Sequence, residues 1–195
     1  MGNIGSIANM IKRIGSNCHI SSDVGEIQEA EKIILPGVGN FDKAMQNIVN
    51  MGFLDVLNKK ALIDKIPILG ICLGMQIMCK SSEEGMLSGL GWIDADVKRF
   101  KLSEDSVLKI PHMGWNTVDI AKPNLLISDK EGEQRFYFVH SYHAVCNYPQ
   151  DVLATSYHGY KFTSAFSNQN IYGVQFHPEK SHRFGKALLK KFIEL

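Results

Sequence analysis

The sequence predicts an α/β fold: a mainly parallel sheet flanked by helices, with antiparallel additions in the C-terminal half. In the first half, apolar strand-like runs each feed a helical pattern, the alternation of a parallel sheet covered on both faces. In the second half, five strand-like runs follow one another closely. An amphipathic helix closes the chain. One domain spanning residues 1–195 accommodates all of this.

Taken in order, Ile4, Ile7, Ala8, Met10, Ile11 and Ile14 recur at helical spacing, and Gly15 is a stop. "NCHI" reads as a short strand and "EKIILPGVG" as a buried strand entering a glycine turn. Residues 40–64 read as helix, broken near Gly52. "IPILGIC" is a second apolar strand feeding the helix "LGMQIMCKS". The runs "WIDADVKRF", "NTVDI", "RFYFVHSYHAVC", "VLATSYHGYKFTSAFS" and "NIYGVQF" follow. The last helix, "SHRFGKALLKKFIEL", sets Phe184, Leu188, Leu189 and Phe192 on one face.

With 45% hydrophobic and 21% charged residues the chain is globular, not disordered. A net charge of +1 gives no basis for nucleic acid or an anionic membrane as partner. No apolar run reaches the ~18 residues of a membrane span, and no secretory signal opens the chain. Cysteines at 18, 72, 79 and 146 lack the close pairs of a zinc site and the density of a disulfide scaffold. They fit a cytoplasmic protein with reduced thiols. "MGNIGS" matches the short pattern for N-myristoylation.

Chemistry concentrates at "GICLGMQ". Cys72 sits where a strand turns into a helix, the carboxyl end at which α/β sheets bind ligands. G-x-C-x-G has the form of a nucleophile elbow. The helix N-terminus favours a thiolate, and the Leu73 N–H can face an oxyanion. A buried cysteine in a tight turn would read the same way. "GVQFHPEKS" adds a second site: His177 and Glu179 lie two residues apart, on one side of an extended segment, as a base and its orienting carboxylate require.

"LPGVG", "GICLGMQ", "SSEEG", "PHMGWN", "FVHSY" and "GVQFHPEKS" together resemble class I (triad) glutamine amidotransferases, in the same order and over essentially the whole chain. "PHMGWN" is similar to the glutaminase subunits of imidazole glycerol phosphate synthase in histidine biosynthesis. The resemblance implies a flavodoxin-like sandwich and a Cys72–His177–Glu179 triad that hydrolyses L-glutamine through a thioester. It implies an oxyanion strand at "PGVG", with Val38, Gly39 and Leu73 around the oxyanion; an ordinary strand-to-helix turn also favours Pro and Gly there. Gln76 and Glu84 match positions that hold glutamine, with Glu83 the neighbouring alternative, and Ser141 and Tyr142 line its pocket by their backbone.

Trp115 and Lys180 match positions facing a (β/α)8-barrel cyclase that consumes the ammonia as heterodimer partner; a core role for Trp115 stays open. No metal and no cofactor is implied, although His140 and His143 have H-x-x-H spacing. The family opens with a strand of the type "IxIIDYG" before "MGN"; a start upstream of Met1 is the expectation favoured over a true truncation, and "MGN" then becomes a strand–helix turn. Three rival readings remain. They are a paralogous subunit feeding a sugar amidotransferase of surface-polysaccharide biosynthesis, a catalytically silent regulatory subunit, and a cysteine peptidase, which Gln76, Glu84 and "PHMGWN" disfavour.

Overall fold

A computed structural model describes residues 4–127 and 132–195. The Met-Gly-Asn turn expected at residues 1–3 lies outside the described residues.

The expected α/β architecture is present. Strands β1 (Ile33–Gly37) and β2 (Ile68–Cys72) run parallel, and β10 (Ile171–Val174) joins β2 in the same sense. The order continues β9 (Lys161–Asn168), β7 (Tyr142–Cys146), β4 (Ala95–Arg99) and β3 (Ser81–Ser82). The antiparallel additions lie in the second half. β8 (Val152–Tyr157) pairs with β9, β5 (His112–Ile120) with β8, and β6 (Gln134–His140) with β5.

Strand β2 is buried at every position, which explains its unbroken apolar sequence. Leu69 and Ile71 join one core cluster, with Ile7 and Ile11 of α1 (Ile4–Ile14) and Leu188, Leu189 and Phe192 of α6 (His182–Ile193). Ile68 faces the other cluster, with Phe41, Met45 and Ile48 of α3 (Phe41–Asn50). Phe184 packs against the first cluster, so all four expected residues of α6 face the core.

Gly15 ends α1 with φ +95°, and Gly52, at φ +71°, separates α3 from α4 (Phe53–Asn58), which runs on as a π-helical turn over Lys59–Ile63. A short helix α2 (Val24–Gln28), capped by Asp23, precedes β1. No helix among the described residues is long and apolar enough to cross a membrane.

Three expectations need correction. "NCHI" is not a strand: residues 16–22 carry no regular structure, and Ile20 is exposed rather than packed on a sheet. The helix after β2 is shorter than its pattern, α5 covering only Leu73–Ile77. The carbonyls of Ile77 and Met78 accept from Leu90 and Ile93, so tertiary bonds take the acceptors that a longer helix would use. Finally, two of the five runs are each two strands: "RFYFVHSYHAVC" is β6 and β7, which part at Ser141 to serve different neighbours, and "VLATSYHGYKFTSAFS" is the antiparallel pair β8 and β9.

Candidate active site

Cys72 ends β2 and caps α5 with φ 55° and ψ −110°. Positive φ on a residue with a side chain is strained backbone, which persists only where its surroundings impose it. Here they do: a Cβ on Gly74 would lie 1.7 Å from the Leu35 carbonyl oxygen of β1, so the turn is pressed against the neighbouring strand. The glycine follows from this close approach. The result aims a buried sulfur off the strand's end, the elbow that G-x-C-x-G predicts.

His177 approaches from the end of β10. Its backbone N–H donates to the Tyr137 carbonyl at 2.9 Å. Ser181 Oγ, fully buried, donates to the His177 carbonyl at 2.6 Å and accepts from the Tyr137 N–H at 3.0 Å. Nδ1 of His177 lies 2.8 Å from Glu179 Oε1, with the two side chains 4% and 2% exposed. The alternation of an extended segment is not what joins them. Pro178–Lys180 is a 3-10 turn, and it swings Glu179 back under the imidazole.

Burial opposes a charge on His177, but the facing Cys72 sulfur and the Glu179 carboxylate together outweigh it and lift the imidazole to about 9. Nε2 of His177 and Oε2 of Glu179 are buried without a partner at full hydrogen-bonding geometry among the described residues. An unsatisfied buried nitrogen is costly in a merely structural histidine. In a proton-transferring one, it is the atom that has to stay available.

A cleft of about 320 Å³ opens on this pair. Val38, Gly39, Leu73, Gln76, Glu84, Ser141 and Tyr142 all line it together with Cys72 and His177. Gly39 holds φ +105° and Val38 is 41% exposed, so the segment after β1 is not locked by side-chain packing. Glu84 Oε2 accepts from the Phe41 N–H at 2.8 Å, at the start of α3. Glu83 does not reach the cleft: it accepts from the Arg99 N–H at 2.8 Å, which lowers its pKa, and pairs with Lys98 at 3.7 Å.

Comparison with known proteins decides the family. The sequence matches the family described as glutamine amidotransferase class-I over residues 2–195. The chain belongs to the class I glutamine amidotransferases. It is 52% identical to a protein of Methanococcus maripaludis named imidazole glycerol phosphate synthase subunit HisH 2, over all of this chain and 95% of that one. The Pseudomonas aeruginosa protein of the same name is 47% identical, over all of this chain and 96% of that one. A crystal structure of a glutamine amidotransferase from Thermotoga maritima superposes with a TM-score of 0.59 at 22% identity. The match covers 99% of this chain and 75% of that one, and the two share the fold.

In this amidotransferase Trp115 and Lys180 stand outside the cleft lining, yet they meet on one ring. Lys180 Nζ lies 5.5 Å from the Tyr137 ring centroid, and Trp115 packs edge-on to the same ring at 6.4 Å. Trp115 also stacks on His182 at 5.6 Å and is 41% exposed, so it is not a core aromatic.

Sequence reasoning missed Pro111, Val139 and His140 of the cleft lining, and a polar residue in contact with the nucleophile. Gln175, fully buried, donates Nε2 to Cys72 Sγ at 3.7 Å and accepts from Gln76 Nε2 at 3.0 Å. Its signal was a polar side chain in the apolar run "YGVQF". The H-x-x-H histidines have local partners: His140 Nδ1 the Tyr142 carbonyl at 2.7 Å, His143 Nε2 the Tyr160 hydroxyl at 3.0 Å.

Proposed function

We propose that this chain is the glutaminase subunit of an imidazole glycerol phosphate synthase. It hydrolyses L-glutamine and passes ammonia to a (β/α)8-barrel cyclase, its heterodimer partner in histidine biosynthesis. The observation that carries the glutaminase reading is the buried His177–Glu179 pair at 2.8 Å beside a strained Cys72, facing one cleft. The synthase is supported by the relatives' names and by the exposed Trp115 next to Lys180. The reading includes a cytoplasmic site of action, in keeping with four free cysteines.

The geometry suits the following sequence. Glutamine enters with its α-ammonium towards Glu84 and its side-chain amide over Cys72. The Cys72 proton rests on His177 Nε2, and the sulfur attacks the amide carbon. The oxyanion is met by the Leu73 N–H and by the backbone of Val38–Gly39, once that segment turns an N–H inwards. His177 gives its proton to the departing nitrogen, and ammonia leaves a γ-glutamyl thioester on Cys72. Water then loses a proton to His177, attacks the thioester, and returns glutamate and the Cys72 thiol. Glu179 keeps Nδ1 protonated, so Nε2 faces the reaction throughout.

The test is glutamate release from glutamine, with and without a barrel cyclase from the same source and its ribonucleotide substrate. Stimulation by the loaded cyclase, lost in Cys72→Ala, is the expected result. A Cys72-dependent rate that this cyclase never stimulates points instead to another ammonia acceptor, such as a sugar amidotransferase. No Cys72-dependent turnover with either overturns the glutaminase reading.

A further inference from the structure

A group of buried histidines, which reaches the cleft wall at His140, is not used by the hydrolysis sequence. His112 and His140 are paired residues of β5 and β6, 5% and 6% exposed. Nδ1 of His112 lies 2.9 Å from Nε2 of His140. His140 Nδ1 lies 2.7 Å from the Tyr142 carbonyl oxygen, and Asn116 Nδ2 lies 3.1 Å from His112 Nε2.

The proton positions in this row follow from one fact: a carbonyl oxygen only accepts. His140 must therefore carry its proton on Nδ1, which leaves Nε2 an acceptor. His112 must then donate from Nδ1, which leaves its own Nε2 to accept from Asn116. The asparagine amide is fixed in turn: its Nδ2 also donates to the Tyr157 carbonyl at 2.8 Å, and its Oδ1 accepts from the Thr117 N–H at 2.8 Å. Both histidines are neutral, burial holding His140 well below its usual range and His112 at about 4.

The row ends on an oxygen that the site also uses. The Tyr142 carbonyl accepts a second bond, from Gln76 Nε2 at 3.1 Å. Gln76 Nε2 donates in addition to Gln175 Oε1, so Gln175 must present its Nε2 to the Cys72 sulfur. Two donor runs therefore share this carbonyl, one from Asn116 beside Trp115 on β5, the other leading on to the nucleophile. Every contact in both is satisfied in one orientation, the condition under which a buried polar network fixes a conformation.

We infer that Asn116, His112 and His140 form a neutral, one-way hydrogen-bond relay that holds the Tyr142 carbonyl in place and, through it, the amides of Gln76 and Gln175. They are positioning residues for glutamine and Cys72, acting from the strand that carries Trp115. The inference rests on the glutaminase reading for its kinetic consequence and on geometry alone for its polarity.

Two measurements test it. In ¹⁵N-labelled wild-type chain at neutral pH, long-range ¹H–¹⁵N spectra read the tautomer of each ring without reference to activity. His112 and His140 are expected as Nδ1–H tautomers; an Nε2–H tautomer or an imidazolium at either position overturns the relay. The second compares Asn116→Asp with Asn116→Ala. The aspartate is nearly isosteric but accepts where His112 needs a donor. With His112 still neutral, it reverses the relay and pulls His140 off the carbonyl, whereas alanine only interrupts it. Asn116→Asp should lower kcat/KM for glutamine by about tenfold or more, and further than Asn116→Ala does, though alanine loses more packing and every side-chain hydrogen bond.

Kinetics are read with saturating cyclase and on the chain alone, to separate pocket effects from docking. An aspartate variant at least as active as the alanine one, with His112 neutral in its ¹H–¹⁵N spectrum, overturns the proposal; an imidazolium there keeps the relay's direction and predicts activity close to wild type. Absence of wild-type glutaminase activity would instead sink the functional reading, and the tautomers would still decide the relay.

Discussion

Glu179 Oε1 lies 2.8 Å from Nδ1 of His177, and the turn that brings them together, Pro178–Lys180, is pinned through the fully buried Ser181 to β6. Against the burial that opposes its charge, the Cys72 sulfur and, with it, Glu179 raise the His177 imidazole to about 9. Glu179→Gln keeps the size and removes the charge. Its kcat is expected to fall on the order of 10³–10⁴-fold, the scale seen when a triad carboxylate becomes an amide. The alkaline limb of the pH–rate profile should move down, because the imidazole loses its carboxylate. Steady-state kinetics across pH 6–10 check both; a limb that stays in place means that Glu179 does not set the His177 titration.

Glu84 and its neighbour separate cleanly. Glu84→Gln retains an acceptor for the Phe41 N–H but loses the charge facing the cleft, so KM for glutamine should rise about tenfold to a hundredfold. Glu83→Gln should leave KM within about twofold, since its partners are Arg99 and Lys98, outside the site. Equal effects of the two changes would contradict the assignment.

Gly74→Ala tests the elbow. The new methyl would meet the Leu35 carbonyl at 1.7 Å, against backbone, and neither strand end can retreat without opening β1 from β2. A loss of about 3 kcal/mol or more in a urea titration is expected. A variant of wild-type stability would mean that the turn is not packed as described.

The buried histidines make acid destabilising. His112, His140 and His143 have folded pKa values below the usual 6.5, burial being the main cause in each. They favour folding fully above that value, and the contribution is lost as pH falls towards the folded value, about 4 for His112. His177 is raised, so its contribution has the opposite sign: it is full below about 6.5 and is lost as pH rises from there through about 9. Urea midpoints should therefore drop between pH 7 and 5. His143→Gln, which keeps an acceptor for the Tyr160 hydroxyl, should flatten that drop.

Trp115 is exposed, so Trp115→Ala should cost little stability while weakening cyclase binding by about 2 kcal/mol, roughly thirtyfold in Kd. Calorimetric titration against the cyclase reads it directly.

The parallel core and the nucleophile were legible because both are local: an apolar run, then G-x-C-x-G at its end. Gln76, Glu84, Ser141 and Tyr142 came from resemblance, and the structure brings them into one cleft. What stayed hidden depends on contacts distant in sequence. The shortening of α5 follows from bonds to Leu90 and Ile93, and the choice of Glu84 over Glu83 from where β4 runs. The paired histidines at 112 and 140 meet through strand register that no periodicity reveals. "NCHI" misled because so short a run needs a neighbouring strand, and among the described residues none pairs with it.

The most direct measurement is intact-mass spectrometry of the chain quenched in acid within its first turnovers on glutamine. The account predicts a mass increase of one γ-glutamyl group, mapping to the Cys72 peptide and absent in Cys72→Ala. Glutamate release at full rate with no adduct on Cys72, or an adduct that survives Cys72→Ala, would contradict it.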